Sequence, residues 1–215
     1  MKSQDIVVLL KLVSLHSAYF SECDDGEFGV IYPPDEDEDW LENDFEYEHP
    51  FSSITESVEN RFSVRALEAD TGISKSQISL SLNRMYDVGL AKIDRKSKLP
   101  KTNTKALLEF IAYGIKYVFP AKEGEITRGI ATSIAAPVLR GKLMTSGDLP
   151  PVWSYAKGKT KGMAVEPLHS NIFKTVQKDK RMYAMLALVD AIRIGHPRER
   201  NLALEKLEIM FKAIR

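Results

Sequence analysis

Three short hydrophilic side chains, Ser76, Ser79 and Asn83, recur at three- and four-residue spacing within KSQISLSLNRMYD. On a helix that turns roughly 100° per residue they share one face, with Leu80 beside them. Small hydroxyls and an amide can reach base edges in the major groove of DNA without filling it. An asparagine can hold adenine through two hydrogen bonds, and a leucine can touch a thymine methyl. Lys75 and Arg84 flank this face with charge suited to phosphate. Ser74 and Gln77 stand at the start of the same run, with Gln77 also within reach of bases. The plainer alternative is an ordinary amphipathic helix whose polar face is merely wet.

Two elements must position these residues. Ser63 is a good N-cap for a short helix carrying Val64 and Leu67 on one face, which stops at Thr71-Gly72 where glycine can turn the chain at positive φ. A second helix, over 75–88, starts almost at once. Ser74 and Gln77 have the spacing of a capping box, and Ile78, Leu82 and Met85 form its inward stripe. Two helices joined by a tight glycine turn make a helix-turn-helix.

The stretch resembles the winged helix-turn-helix of bacterial transcriptional regulators, notably MarR-type repressors and related antitoxin-repressors. The resemblance rests on Leu67, Thr71-Gly72-Ile73-Ser74-Lys75-Ser76, Ile78, Ser81-Leu82 and Tyr86-Asp87-Val88-Gly89-Leu90, and covers residues 62 to 118 with the first helix. One position departs: the residue after Leu67 is usually small in such motifs, and here it is Glu68. The resemblance implies a DNA-binding repressor. Its wing would follow the second helix, and the sequence supplies a strand, Leu90 to Ile93, then a loop at 92–101 with Arg95, Lys96, Lys98 and Lys101 around Pro100. Basic residues at such a tip would sit over phosphates or the minor groove.

Composition sets limits on this reading. Thirty Lys and Arg balance thirty Asp and Glu over 215 residues, but fifteen of the acids fall between Glu22 and Glu59, where there is no Lys or Arg. The remaining chain therefore holds fifteen acids against thirty bases, the footprint expected of a phosphate-backbone binder. The longest apolar run, Ile6 to Leu10, is too short to span a bilayer, and Ser3, Gln4, Asp5 and Lys11 break any leader pattern. One cysteine, Cys23, suits a reducing, cytoplasmic setting.

Residues 3–20 have helical spacing and are apolar nearly all round, with Ile6, Leu9, Leu10, Val13 and Leu15 enclosed; a lone His16 reads as a satisfied structural residue. The acidic insertion at 22–60 interleaves Phe28, Tyr32, Trp40, Phe45, Tyr47 and Phe51, and ends in a short helix near Ser53 to Asn60. Such a mixture can imitate nucleic acid, dock on the basic body, or capture a partner, but a plain solvated acidic loop is the favoured reading. Asp35, Asp37, Asp39 and Glu46 match places in a calcium-binding EF-hand loop, but Trp40 stands where glycine is needed and Pro33-Pro34 forbids the incoming helix. No metal is expected.

Lys105 to Val118 reads as a helix with Leu107, Leu108, Ile111 and Ile115 inward and Thr102 or Asn103 as cap. Ile126 to Leu139 suggests a short helix broken at Pro137, and Val152 to Tyr155 with Met163 to Val165 suggests a β-hairpin. Its turn holds Gly158-Lys159-Thr160, the tail of a phosphate loop, but Trp153 replaces the first required glycine. Asp179 to Ile194 and Arg198 to Ile214 read as an antiparallel amphipathic pair, a candidate dimer seam unless both helices pack onto their own chain. Arg193, His196, Arg198 and Arg200 cluster at its join, where an acidic partner or anion would suit them.

The expected fold is mainly α with small β elements. A winged helix-turn-helix domain at 1–119 carries the insertion, and 120–215 forms a C-terminal helical or dimerisation region. Scattered histidines and the absence of a nucleophile elbow or dinucleotide loop give no catalytic constellation, so no enzyme and no cofactor are expected. The expected partner is double-stranded DNA, bound by a homodimer. The alternative is an antitoxin or other partner-binding protein that uses the acidic-aromatic insertion or the C-terminal region, with a toxin as its protein partner.

Overall fold

A computed structural model describes residues 1–20, 58–139, 141–142 and 149–212. The acidic insertion, with its EF-hand-like residues and most of its expected short helix, lies outside the described residues. The described residues are mainly helical, with two small sheets among them. In order the elements are α1 Ser3–Phe20, α2 Val58–Arg61, α3 Val64–Thr71, α4 Lys75–Asp87, β1 Ala91–Ile93, β2 Pro100–Thr102, α5 Thr104–Tyr113, α6 Ile115–Val118, β3 Glu123–Ala131, a 3-10 turn Ser133–Ala135, β4 Pro151–Ser154, β5 Thr160–Val165, α7 Ile172–Lys178, α8 Lys180–Ile194 and α9 Pro197–Lys212.

Helix α1 is enclosed as its composition requires, from Ile6 through Leu15, and two polar groups on it meet the hairpin β1–β2. His16 Nε2 donates to the Pro100 carbonyl at 2.9 Å, and the Leu9 carbonyl accepts from the Thr102 hydroxyl at 2.9 Å. Burial pushes the His16 imidazole below its ordinary pKa, so the ring is a neutral structural donor.

The helix expected over Lys105 to Val118 is two pieces, because Gly114 ends α5 and α6 begins anew; Asn103, not Thr102, is the cap, accepting from the Ala106 N–H. The helix expected from Ile126 is instead the long strand β3. Thr127 and Ile130 are β-branched, and Gly129 offers nothing to hold a helix there.

The expected hairpin is also corrected. Strands β4 and β5 each pair antiparallel with β3, at successive lengths of it, and parallel with one another (Pro151 opposite Met163, Val152 opposite Ala164), closing a three-stranded barrel. This closure needs backbones in direct contact. A Cβ at Gly129 would lie 1.9 Å from the Trp153 carbonyl oxygen, and one at Gly162 would lie 1.9 Å from that of Pro150.

Helix α8 organises the rest. It is buried without a break from Met182 to Arg193 and packs against α1, α5, α6, α7 and α9. Its two charged core residues pair with each other: Arg193 Nη1 donates to Asp190 Oδ1 at 2.6 Å. Asp190 Oδ2 accepts from Trp153 Nε1 at 2.5 Å and the Thr132 hydroxyl at 3.0 Å. Arg193 also donates to the carbonyls of Phe119 and Glu166. So Arg193 needs no outside anion, contrary to expectation. Nor is α8 half of a dimer seam, since its own chain surrounds it; α9 exposes no large apolar side chain among the described residues. One hydrophobic core runs through both halves of the chain.

A second buried charge cluster ties those halves together. Lys11 Nζ on α1 lies 2.9 Å from Asp179 Oδ2, the N-cap of α8, and 3.0 Å from Asp70 Oδ2 on α3. The Ser14 hydroxyl donates to Asp179 at 2.7 Å, and the other Asp179 oxygen accepts the Met182 N–H. No described helix is long and apolar enough to cross a membrane.

Candidate nucleic-acid interface

Helix α3 ends as its residues dictate. The Ser63 hydroxyl accepts the Ala66 N–H, and Gly72 takes φ +69° to close the helix and start the turn. The Thr71 hydroxyl bridges that turn, donating to the Leu67 carbonyl and accepting the Ile73 N–H. Helix α4 then buries Ile78, Ser81, Leu82 and Met85, so its opposite face must be wet. Ser76, Ser79, Leu80 and Asn83 are all exposed, Leu80 by 50%. Among the described residues the side chains of Ser76, Ser79 and Asn83 make no hydrogen bond.

Three of the flanking residues are engaged otherwise than their spacing suggests. Arg84, expected on phosphate, forms two hydrogen bonds to Asp5, from Nε at 3.1 Å and Nη2 at 2.5 Å. Asp5 is 0% exposed. Burial by itself would raise its carboxyl, but the Arg84 hydrogen bonds and the Lys2 N–H outweigh it and hold the pKa below 3.8. The guanidinium is thus consumed by α1.

The capping box is also absent. Ser74 makes no side-chain cap bond, and Gln77 Oε1 accepts from Gln4 Nε2 at 2.9 Å, which withdraws it from bases. The first N–H of α4, on Lys75, goes instead to Glu68 Oε1 at 3.2 Å, and Lys75 Nζ lies 3.7 Å from the same carboxylate. A full negative charge at the positive end of a helix is favourable. The departure at Glu68 therefore has a physical role: it anchors the exposed helix to the one before it.

The hairpin follows without slack. Asn103 donates to the Gly89 carbonyl, and Ala91 lies opposite Thr102, Lys92 opposite Lys101 and Ile93 opposite Pro100. Its loop is organised by the Asp94 carboxylate, which accepts the Ser97 N–H at 2.9 Å, the Ser97 hydroxyl at 3.0 Å and the Lys96 N–H at 3.1 Å. Those bonds, Ser97 first, hold the Asp94 pKa at about 2. Arg95, Lys96 and Lys98 are exposed, and Lys101 is half-buried.

Lys98 stands at φ +60°. Relieving that conformation with glycine should return ~1–2 kcal/mol, less ~0.5–1 for glycine's entropy. Lys98→Gly is therefore expected to raise stability by roughly 0.5–1 kcal/mol, read by urea unfolding. A cation kept at a strained tip is itself a pointer to function.

Four contributors were not legible as site residues. Gln4 and Asp5 hold α4 from 73 and 79 residues away. A lone acid in an apolar helix is the one signal Asp5 gives. Glu68 is visible as a departure from the motif. Asn171, whose Nδ2 donates to the Gly72 carbonyl at 2.7 Å, gives none. Set against known proteins, the chain matches no family model, no curated protein and no solved structure.

Proposed function

We propose that this chain is a sequence-specific DNA-binding transcriptional regulator, a repressor of the winged helix-turn-helix kind, with α4 as its groove-reading helix and the β1–β2 hairpin as its wing. One observation carries the reading: Ser76, Ser79 and Asn83 stand exposed and unengaged along one face of a helix whose other sides are fixed to α1 and α3. Polar groups held rigidly in the open are pre-organised for a partner whose edge presents donors and acceptors. Arg95, Lys96 and Lys98 supply charge for phosphates, and Lys75 adds what Glu68 leaves of its charge.

The two kinds of contact predict different phenotypes. Asn83→Ala should cost ~1–3 kcal/mol of discrimination at one base pair and leave the other positions unchanged. Lys96→Ala should weaken all duplexes alike and flatten the slope of log affinity against log salt by about 0.9. Mobility shifts over random and selected duplexes separate the two. Identical effects of both changes, or no binding by the parent protein, would sink the proposal.

A further inference from the structure

We infer that the duplex contact continues onto the C-terminal half, along the exposed face of α7, where Lys174 and Lys178 take backbone phosphates. The inference rests on the DNA-binding reading and deepens it.

Helix α7 buries Ile172, Thr175 and Val176 and exposes Lys174 and Lys178, which with its exposed N-cap Asn171 form one stripe at three- and four-residue spacing. That stripe begins at the helix-turn-helix itself. Asn171 Nδ2 holds the Gly72 carbonyl at 2.7 Å, and a Cβ built on Gly72 would lie 3.3 Å from Lys174 Cδ. Gly72 is three residues before Lys75, so Lys174, with Lys178 one helical turn further along α7, lies beside the turn that leads into the N-terminal end of α4. This is the end that approaches bases most closely when such a helix enters the groove, with the sugar-phosphate backbone alongside.

At that end α4 offers little charge of its own, because the Glu68 carboxylate takes the first N–H and lies 3.7 Å from Lys75 Nζ. A phosphate there needs cations from another element. Lys174 and Lys178 have no carboxylate within ion-pair distance among the described residues, and lie about 6 Å apart along the helix axis. The element is rigid: Phe173 stacks on Tyr155 with centroids 5.0 Å apart, and Gln177 Nε2 donates to the Tyr155 hydroxyl at 3.0 Å. The backbone that carries both lysines is thus held in place before any binding, so only their side chains need be ordered.

The test is Lys174→Gln/Lys178→Gln in the full chain, assayed on a duplex selected by the parent protein, across a salt series, beside Lys96→Ala. Two lost phosphate contacts should flatten the log–log salt slope by about 2 and weaken binding roughly 30-fold near 0.15 M salt, with base preference unchanged. Both side chains are exposed, so the thermal midpoint should not move. A parent that binds and a double variant with the same affinity and slope would overturn the α7 contact alone. A parent that binds no duplex would overturn the DNA-binding reading, and this inference with it.

Discussion

Lys11→Met is expected to destabilise the protein by about 3–5 kcal/mol, the usual consequence of removing one partner from a buried charge cluster. The side chain is 5% exposed, and its loss leaves, among the described residues, Asp179 with no cation and Asp70 with only Arg61, whose Nη2 lies 3.8 Å away. Lys11→Met/Asp70→Asn/Asp179→Asn should recover much of that loss, because no fully buried charge is then unpaired, Arg61 being 23% exposed to water, and the new amide at position 179 can still cap α8.

The pH dependence distinguishes this account from simple cavity formation. Burial opposes ionisation of Asp179, but Lys11 and the Met182 and Ser14 hydrogen bonds prevail and hold its folded pKa below 3.8. Its contribution is therefore complete above that value and lost as pH falls through the lowered one. Lys11 is likewise desolvated, yet the two carboxylates raise it above 10.5, so its contribution is complete below 10.5 and lost only above. Without Lys11, Asp179 should prefer to be protonated, and the gap between parent and variant should narrow as the solution is acidified towards about pH 4. Urea unfolding at neutral and at acid pH measures it; a constant gap would count against the charge explanation.

Arg84→Ala should cost about 2–3 kcal/mol, less than for a fully enclosed pair because 30% of the Arg84 side chain meets water. The cost arises because Asp5 is left buried without its guanidinium. Were Arg84 a phosphate contact instead, the change would flatten the salt dependence of DNA binding and spare the thermal midpoint. The expected outcome is the reverse: a lower midpoint, and an unchanged salt slope at temperatures where the variant is folded. Since the folded pKa of Asp5 is depressed, its stabilisation persists above 3.8 and disappears as pH falls through the lowered value.

Most helices are legible in the sequence because local periodicity dictates them. Ser63, Gly72 and Asn103 act as their types suggest, and the exposed face of α4 follows from the inward stripe of Ile78, Leu82 and Met85. What stays hidden depends on distant partners. Asp190 and Arg193 look like a wet side in sequence but pair with each other in the core, so α8 reads as amphipathic although no side of it is. Strand β3 has a short β-branched run that periodicity alone leaves ambiguous, and its strand character comes from β4 and β5, which pair along it. Arg84 carries the right charge at the right spacing for phosphate. Only the fold brings Asp5 to it.

The dry helix α8 has a consequence for how such a chain can change. An element with no side that tolerates water cannot wait in the open for its neighbours, and α1, α5 and α6 lean on it as much as it leans on them. The segment from α3 to β2 is therefore not a cartridge to be lifted out and traded for another by recombination. On the proposed DNA-binding role, new sequence preferences would have to arise in place, through single replacements on the outer surface of α4, while everything beneath stays fixed.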